Sequence, residues 1–106
     1  MRTYTPVILQ AALKEALKDG GIVEAHCTED AKKIGSAWTG SWTVYLLAEG
    51  ERVPLVNHRA LQTREFKTIA GLISLAVELG LEAANVPLRQ GTSVYWTHGT
   101  EGTSQS

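Results

Sequence analysis

Apolar residues recur along this chain with two periods, and the switching between them predicts its elements. Leu9, Ala12, Leu13, Ala16 and Leu17 fall on one face at helical spacing, with Lys14, Glu15 and Lys18 mostly off it. Thr5-Pro6 supplies the start: Thr is a good N-cap, and proline at the first helical position gives up only a donor that is unpaired anyway. Gly20-Gly21 supplies the stop. Ile22 to Cys27 alternates weakly and predicts a strand. Thr28-Glu29-Asp30 predicts a short capped helix through Ile34, with acids at its positive end. Gly35 to Ser41, small and polar around Trp38, predicts a loop.

The period then shortens to two. Trp42, Val44, Leu46 and Ala48 alternate with Thr43, Tyr45 and Leu47, a strand rich in aromatic and β-branched residues. Glu49-Gly50 is a turn signal, and Glu51 to Val56 returns as a second strand. Pro54 cannot donate to a ladder, which places that strand at an edge or a bulge. Thr63 to Phe66 reads as a short strand or extended lead-in. Thr68 caps a second helix, Ile69 to Leu79, whose buried face is predicted as Ile69, Leu72, Ile73, Ala76 and Leu79. Gly80 stops this helix, and Leu81 folds back in a Schellman ending. Gly71 inside it implies a close approach by a neighbouring group. Ala84 to Leu88 and Val94 to Trp96 read as further strands, and the polar run from Thr97 as a flexible tail.

These elements predict an α+β domain of two layers: an antiparallel sheet of about four to five strands packed with two main helices. Residues 1–96 form one globular domain in this reading, and 97–106 the tail. The 106 residues allow one domain, and 43% hydrophobic with 20% charged content is ordinary globular usage. Net charge is −1, which argues against a protein built mainly to coat nucleic acid but leaves room for a local basic patch. The single cysteine, Cys27, forms no intramolecular disulfide and fits a reducing, cytoplasmic setting. Charges at Lys14, Glu15, Lys18 and Asp19 interrupt the N-terminal apolar run, so no signal peptide is expected there. No apolar stretch reaches the roughly 20 residues that span a bilayer.

Few residues invite chemistry. His26, Cys27 and His58 lack zinc-ligand spacing, and adjacent strand residues point to opposite faces, so no metal or other cofactor is expected. Cys27 as a nucleophile would need a partner such as His58 or His98, and a buried, inert thiol is the simpler expectation. The chain contains no GxSxG elbow, no GxxxxGK[ST] loop and no GxGxxG turn. A non-enzyme is therefore expected. Two groups of residues suggest binding instead. Arg59, Arg64 and Lys67 cluster at the start of the second helix, where the dipole and free amides also favour anions such as nucleic-acid phosphate or an acidic partner. Trp38 and Trp96 sit beside polar segments and are candidate protein-interface anchors.

The pattern Trp42-TVYLL, a hairpin, then Arg64-EFKTIAGLISLAVELGL and a short strand resembles small plasmid accessory proteins of the partition-associated type, over roughly residues 42–86. The resemblance implies a mobile-element protein with an accessory, non-catalytic role. The expected function is binding of DNA or a DNA-associated protein complex. The alternative is a protein-inhibitor module that blocks a host defence complex, as anti-CRISPR proteins do. An apolar stripe on the first helix, if the sheet leaves any of it uncovered, would also support a homodimer.

Overall fold

The chain folds into two layers, with both helices on one face of a five-stranded antiparallel sheet. The computed structural model describes residues 7–57, 59 and 62–97. The elements are α1 (Gln10–Lys18), β1 (Ile22–Ile34), β2 (Ala37–Ala48), β3 (Glu51–Pro54), β4 (Glu65–Thr68), α2 (Ile69–Glu78) and β5 (Ser93–Thr97). The α+β class, the two helices and the strand count match the sequence expectation.

A long β1–β2 hairpin is the spine of the sheet, running from Ile22 opposite Leu47 to Ile34 opposite Ala37, with register shifts between Cys27 and Glu29 and between Glu29 and Lys32. One flank is covered by β5, which pairs only with Ile22–His26. The other flank is covered by two short strands laid end to end along β2: β3 opposite Tyr45–Ala48 and β4 opposite Thr39–Thr43. Pro54 accordingly lies in an edge strand. Alternation sends Val23, Ala25, Cys27, Trp42, Val44 and Phe66 to the helix side, where they join Leu13 and Leu17 of α1 and Leu72, Leu75 and Leu79 of α2 in one buried core.

Local sequence explains both helix ends of α2. The Thr68 hydroxyl accepts the Gly71 N–H at 3.0 Å. A Cβ on Gly71 would stand 3.1 Å from that hydroxyl, so the glycine makes room for the cap. At the other end Gly80 takes φ +88°, a left-handed conformation that costs a side-chain-bearing residue more. It lets Gly80 N–H reach Val77 O and Leu81 N–H reach Ala76 O, the paired bonds of a Schellman ending.

Several expectations are corrected. The Thr5-Pro6 start lies outside the described residues, and α1 begins only at Gln10. Ile8, expected in the helix, instead forms a parallel bridge to Leu55. Thr28–Ile34 is not a helix but the far half of β1. Gly35–Ser41 is a loop only at Gly35-Ser36, after which β2 begins. The pairing energy of a long hairpin overrides weak local signals there. Ala84–Leu88 joins no ladder and has no regular secondary structure. On α2, Leu75 takes the buried place expected for Ile73, which is exposed. The tail beyond Thr97 lies outside the described residues. No helix among those described is long and apolar enough to cross a membrane.

Candidate functional site

The far half of the β1–β2 hairpin runs past its support, and a groove lies at its base. β4 is antiparallel to β2 and ends with Thr68 opposite Thr39. α2 starts at the next residue and turns back over the sheet. By alternation Trp38 belongs to the helix-facing side, as Trp42 does, but it lies one residue beyond the level at which the helix begins. Trp38 and the first residue of α2, Ile69, line one groove, and Trp38 stays 51% exposed. The segment after α2 supplies the opposite wall: Ala31 N–H donates to Leu88 O at 2.9 Å, and Gln90 N–H to Asp30 Oδ1 at 2.6 Å. The result is a groove of about 490 Å³ lined by Trp38, Ile69, Ala31, Leu88, Asp30 and Arg89. Leu88 is also 51% exposed.

The segment carrying Leu88 is held by the other two tryptophans. Trp42 Nε1 donates to Pro87 O at 2.7 Å, and Trp96 Nε1 to Asn85 O at 2.8 Å. Trp96, expected as an exposed anchor, is only 2% exposed and belongs to the core. Its position in β5 opposite Val23 places the ring under the helices. Of the two candidate interface tryptophans, Trp38 alone presents a surface.

Of the three cations grouped in sequence, Arg64 and Lys67 are sent to opposite faces by strand alternation. Arg64 lies 4.7 Å over the Phe66 ring, and its Nη1 donates to Gln10 Oε1 of α1 at 2.8 Å. Lys67 points to the other face, with Nζ 3.5 Å from Glu65. Arg59 is exposed in the turn between β3 and β4. Lys67 does line a second groove, of about 390 Å³, together with Lys32, Ile34 and the acids Glu29 and Asp30. Among the described residues Lys32, Lys33 and Arg89 have no carboxylate within ion-pair distance.

A polar chain crosses the open face of the sheet. Glu24, nearly buried, accepts from Arg52 Nε at 2.8 Å and from Ser93 Oγ at 2.6 Å. His26 Nδ1 lies 2.7 Å from the same hydroxyl. The single hydroxyl proton of Ser93 is committed to Glu24, so the imidazole donates to Ser93. A nucleophilic serine needs the reverse, an imidazole that takes its proton. The chain serves instead to satisfy a desolvated carboxylate.

Cys27 is buried, and its thiol donates to Glu29 O at 3.0 Å. Burial pushes the thiol's pKa up, and the negative charge of Asp30 adds to that. His26 points to the opposite face, and His58 and His98 lie outside the described residues. Among the described residues no three His, Cys, Asp or Glu side chains gather as metal ligands. Glu65 is shifted the other way: the Ser41 hydroxyl donates to it, and Lys67 adds a nearby positive charge, so its carboxyl lies below the ordinary carboxylate range.

Neither protein-family models, nor curated proteins, nor solved structures yield a match to this chain.

Proposed function

We propose that this protein is a non-catalytic binding module that captures a protein partner in the Trp38 groove. One observation carries the reading: a half-exposed tryptophan and an equally exposed leucine line an open groove that also holds one cation, Arg89, and one anion, Asp30. Such a groove fits an apolar side chain of a partner, with polar groups at the margin setting orientation. On this reading the chain is a small accessory protein of a mobile element, as the sequence resemblance implies, or a protein-inhibitor module, as its size, near-neutral charge and exposed tryptophan suggest.

A second reading keeps nucleic acid as the partner. It is favoured by Lys32, Lys33 and Arg89 around the hairpin, rather than by the Arg59, Arg64 and Lys67 group, in which Arg64 and Lys67 have internal partners. Salt separates the two. Phosphate binding weakens log-linearly as salt rises, whereas an apolar groove is far less sensitive. Affinity capture from source-cell lysate, with and without nuclease, is compared for the wild type, Trp38→Ala and a Lys32→Glu/Lys33→Glu pair. The groove reading expects a protein retained after nuclease and lost with Trp38→Ala. Retention by Trp38→Ala, together with loss on nuclease treatment or in the lysine pair, would overturn it in favour of nucleic acid.

A further inference from the structure

The edges of the sheet are guarded unequally. On one flank, β3 carries Glu51, Arg52 and Pro54, and β4 carries Glu65 and Lys67. Pro54 has no amide proton, and its carbonyl already accepts from Ile8 N–H at 3.0 Å. On the other flank, the far half of β1 is bonded to Leu88 through Ala31 and then bears the exposed Lys32 and Lys33. Charges, proline and a covering segment are the devices by which proteins keep strand edges from pairing. β5, Ser-Val-Tyr-Trp-Thr, carries no charge and no proline.

The neighbours of β5 orient its backbone. Cys27 N–H donates to Thr92 O at 2.9 Å, and Cys27 O accepts from Gly91 N–H at 2.8 Å, so Cys27 turns both main-chain groups toward the β5 flank. Alternation along β1 turns Ala25 and Val23 the same way, and their partners Val94 and Trp96 turn inward to meet them. Ser93, Tyr95 and Thr97 therefore direct their N–H and C=O groups outward. Among the described residues none of these groups has a backbone partner. The small residues Ala83, Ala84 and Asn85 line a hollow of about 170 Å³ with Tyr95, Trp96 and Thr97, which leaves room beside the strand. Tyr95 itself is 59% exposed.

We propose that this edge is the seam of a symmetric homodimer in which two β5 strands pair antiparallel across a two-fold axis at Tyr95. Tyr95 of one copy lies opposite Tyr95 of the other, and Ser93 opposite Thr97. The three resulting pairs exchange two N–H···O=C bonds each, which uses every outward group of both strands. A second copy is the fitting occupant because the unpaired groups centre on one residue and match their own two-fold image. The match sets tyrosine against tyrosine and serine against threonine, with no charge facing a like charge. Pairing of β5 with the β3 of another copy, which would build an open filament, is blocked at Pro54 and Ile8. The axis joins two sheets into one and points the two hairpins in opposite directions. No residue of the Trp38 groove belongs to the paired strands, so both grooves stay open. On α1, Leu13 and Leu17 are spent in the core and the outer side carries Lys14, Glu15 and Lys18, so the condition for a dimer through that helix is not met.

Sedimentation velocity of the full chain tests this with no partner added, so it is independent of the groove reading. A five-residue seam is small, so association should emerge toward the millimolar range, as a species of twice the 11.5 kDa chain mass. Tyr95→Lys replaces an aromatic pair by like charges at the axis and should raise the dimer dissociation constant roughly tenfold, with circular dichroism unchanged. Tyr95→Glu should do the same, and an equimolar mixture of the two variants should associate again as a heterodimer. Amide exchange gives a second readout. The N–H groups of Tyr95 and Thr97 should gain protection as concentration rises, whereas those of Val94 and Trp96 are protected throughout. A wild type that stays monomeric in the millimolar range, a dimer indifferent to Tyr95→Lys, or a mixture that fails to associate overturns the proposal.

Discussion

The two halves of the β1–β2 hairpin share one ladder and live in different environments. In the near half, Val23, Ala25, Cys27, Trp42 and Val44 are fully buried, with β5 on one flank of the hairpin, β3 and β4 on the other, and helices above. In the far half, Ile34 and Trp38 are largely exposed, and beyond Thr39 the ribbon has no third strand. A two-stranded ribbon alone is marginal in water, so the far half borrows its order from the near one. The difference teaches that a tryptophan's role is set by what reaches it. Trp42 and Trp38 are four residues apart on the same side of one strand; α2 covers the first and stops short of the second.

The contrast is broken most severely at Trp42. Trp42→Ala should cost about 3–5 kcal/mol, because it opens a cavity in the core. It also strands Pro87 O without its indole donor. Against a total of about 5–15 kcal/mol this is a large share, and urea titration reads it directly. Gly40→Ala tests the boundary between the halves. A Cβ there would stand 2.8 Å from Trp42 Cη2 and 3.0 Å from Glu29 O, so a loss of about 1–3 kcal/mol is expected, read as a lower melting temperature. Trp38→Ala, by contrast, should change stability by no more than about 0.5 kcal/mol while abolishing partner capture. The smallest effect is at Ser41, whose hydroxyl holds the Glu65 carboxyl below its ordinary value of 4.5. A depressed carboxyl stabilises the fold above that value and loses its contribution as pH falls through the lowered one. The melting temperature of Ser41→Ala should therefore lie slightly below wild type at neutral pH and converge with it in acid.

The near half was legible in the sequence because burial imposes alternation: Trp42, Val44 and Leu46 against Thr43, Tyr45 and Leu47. The far half was not, because a solvated ribbon needs no alternation. Thr28-Glu29-Asp30 resembles a helix cap, and Gly35 to Ser41 resembles a loop, until the pairing partner is known. Ala84–Leu88 misled in the opposite direction. Its apolar residues suggest a strand, but Asn85 and Pro87 carbonyls accept indole protons rather than ladder amides. Trp38 was identifiable as an unusual residue, but its groove was not. Ala31, Ile69 and Leu88 come from three separate segments, and nothing local joins them. Arg64 and Lys67, close in sequence, lie on opposite faces because side chains alternate along a strand, a separation that a cluster in sequence does not reveal.

The three indoles also make the molecule its own optical probe. Two are enclosed and hydrogen-bonded to carbonyls of one segment, and the third stands in water at the groove. Their emission should separate into a blue component and a redder one, with acrylamide quenching confined to the redder. An occupant of the groove would shift and shield that component alone. Lifting of the Asn85–Pro87 segment would instead redden the blue one, so seating of the segment and filling of the groove are read at different wavelengths from an unlabelled chain.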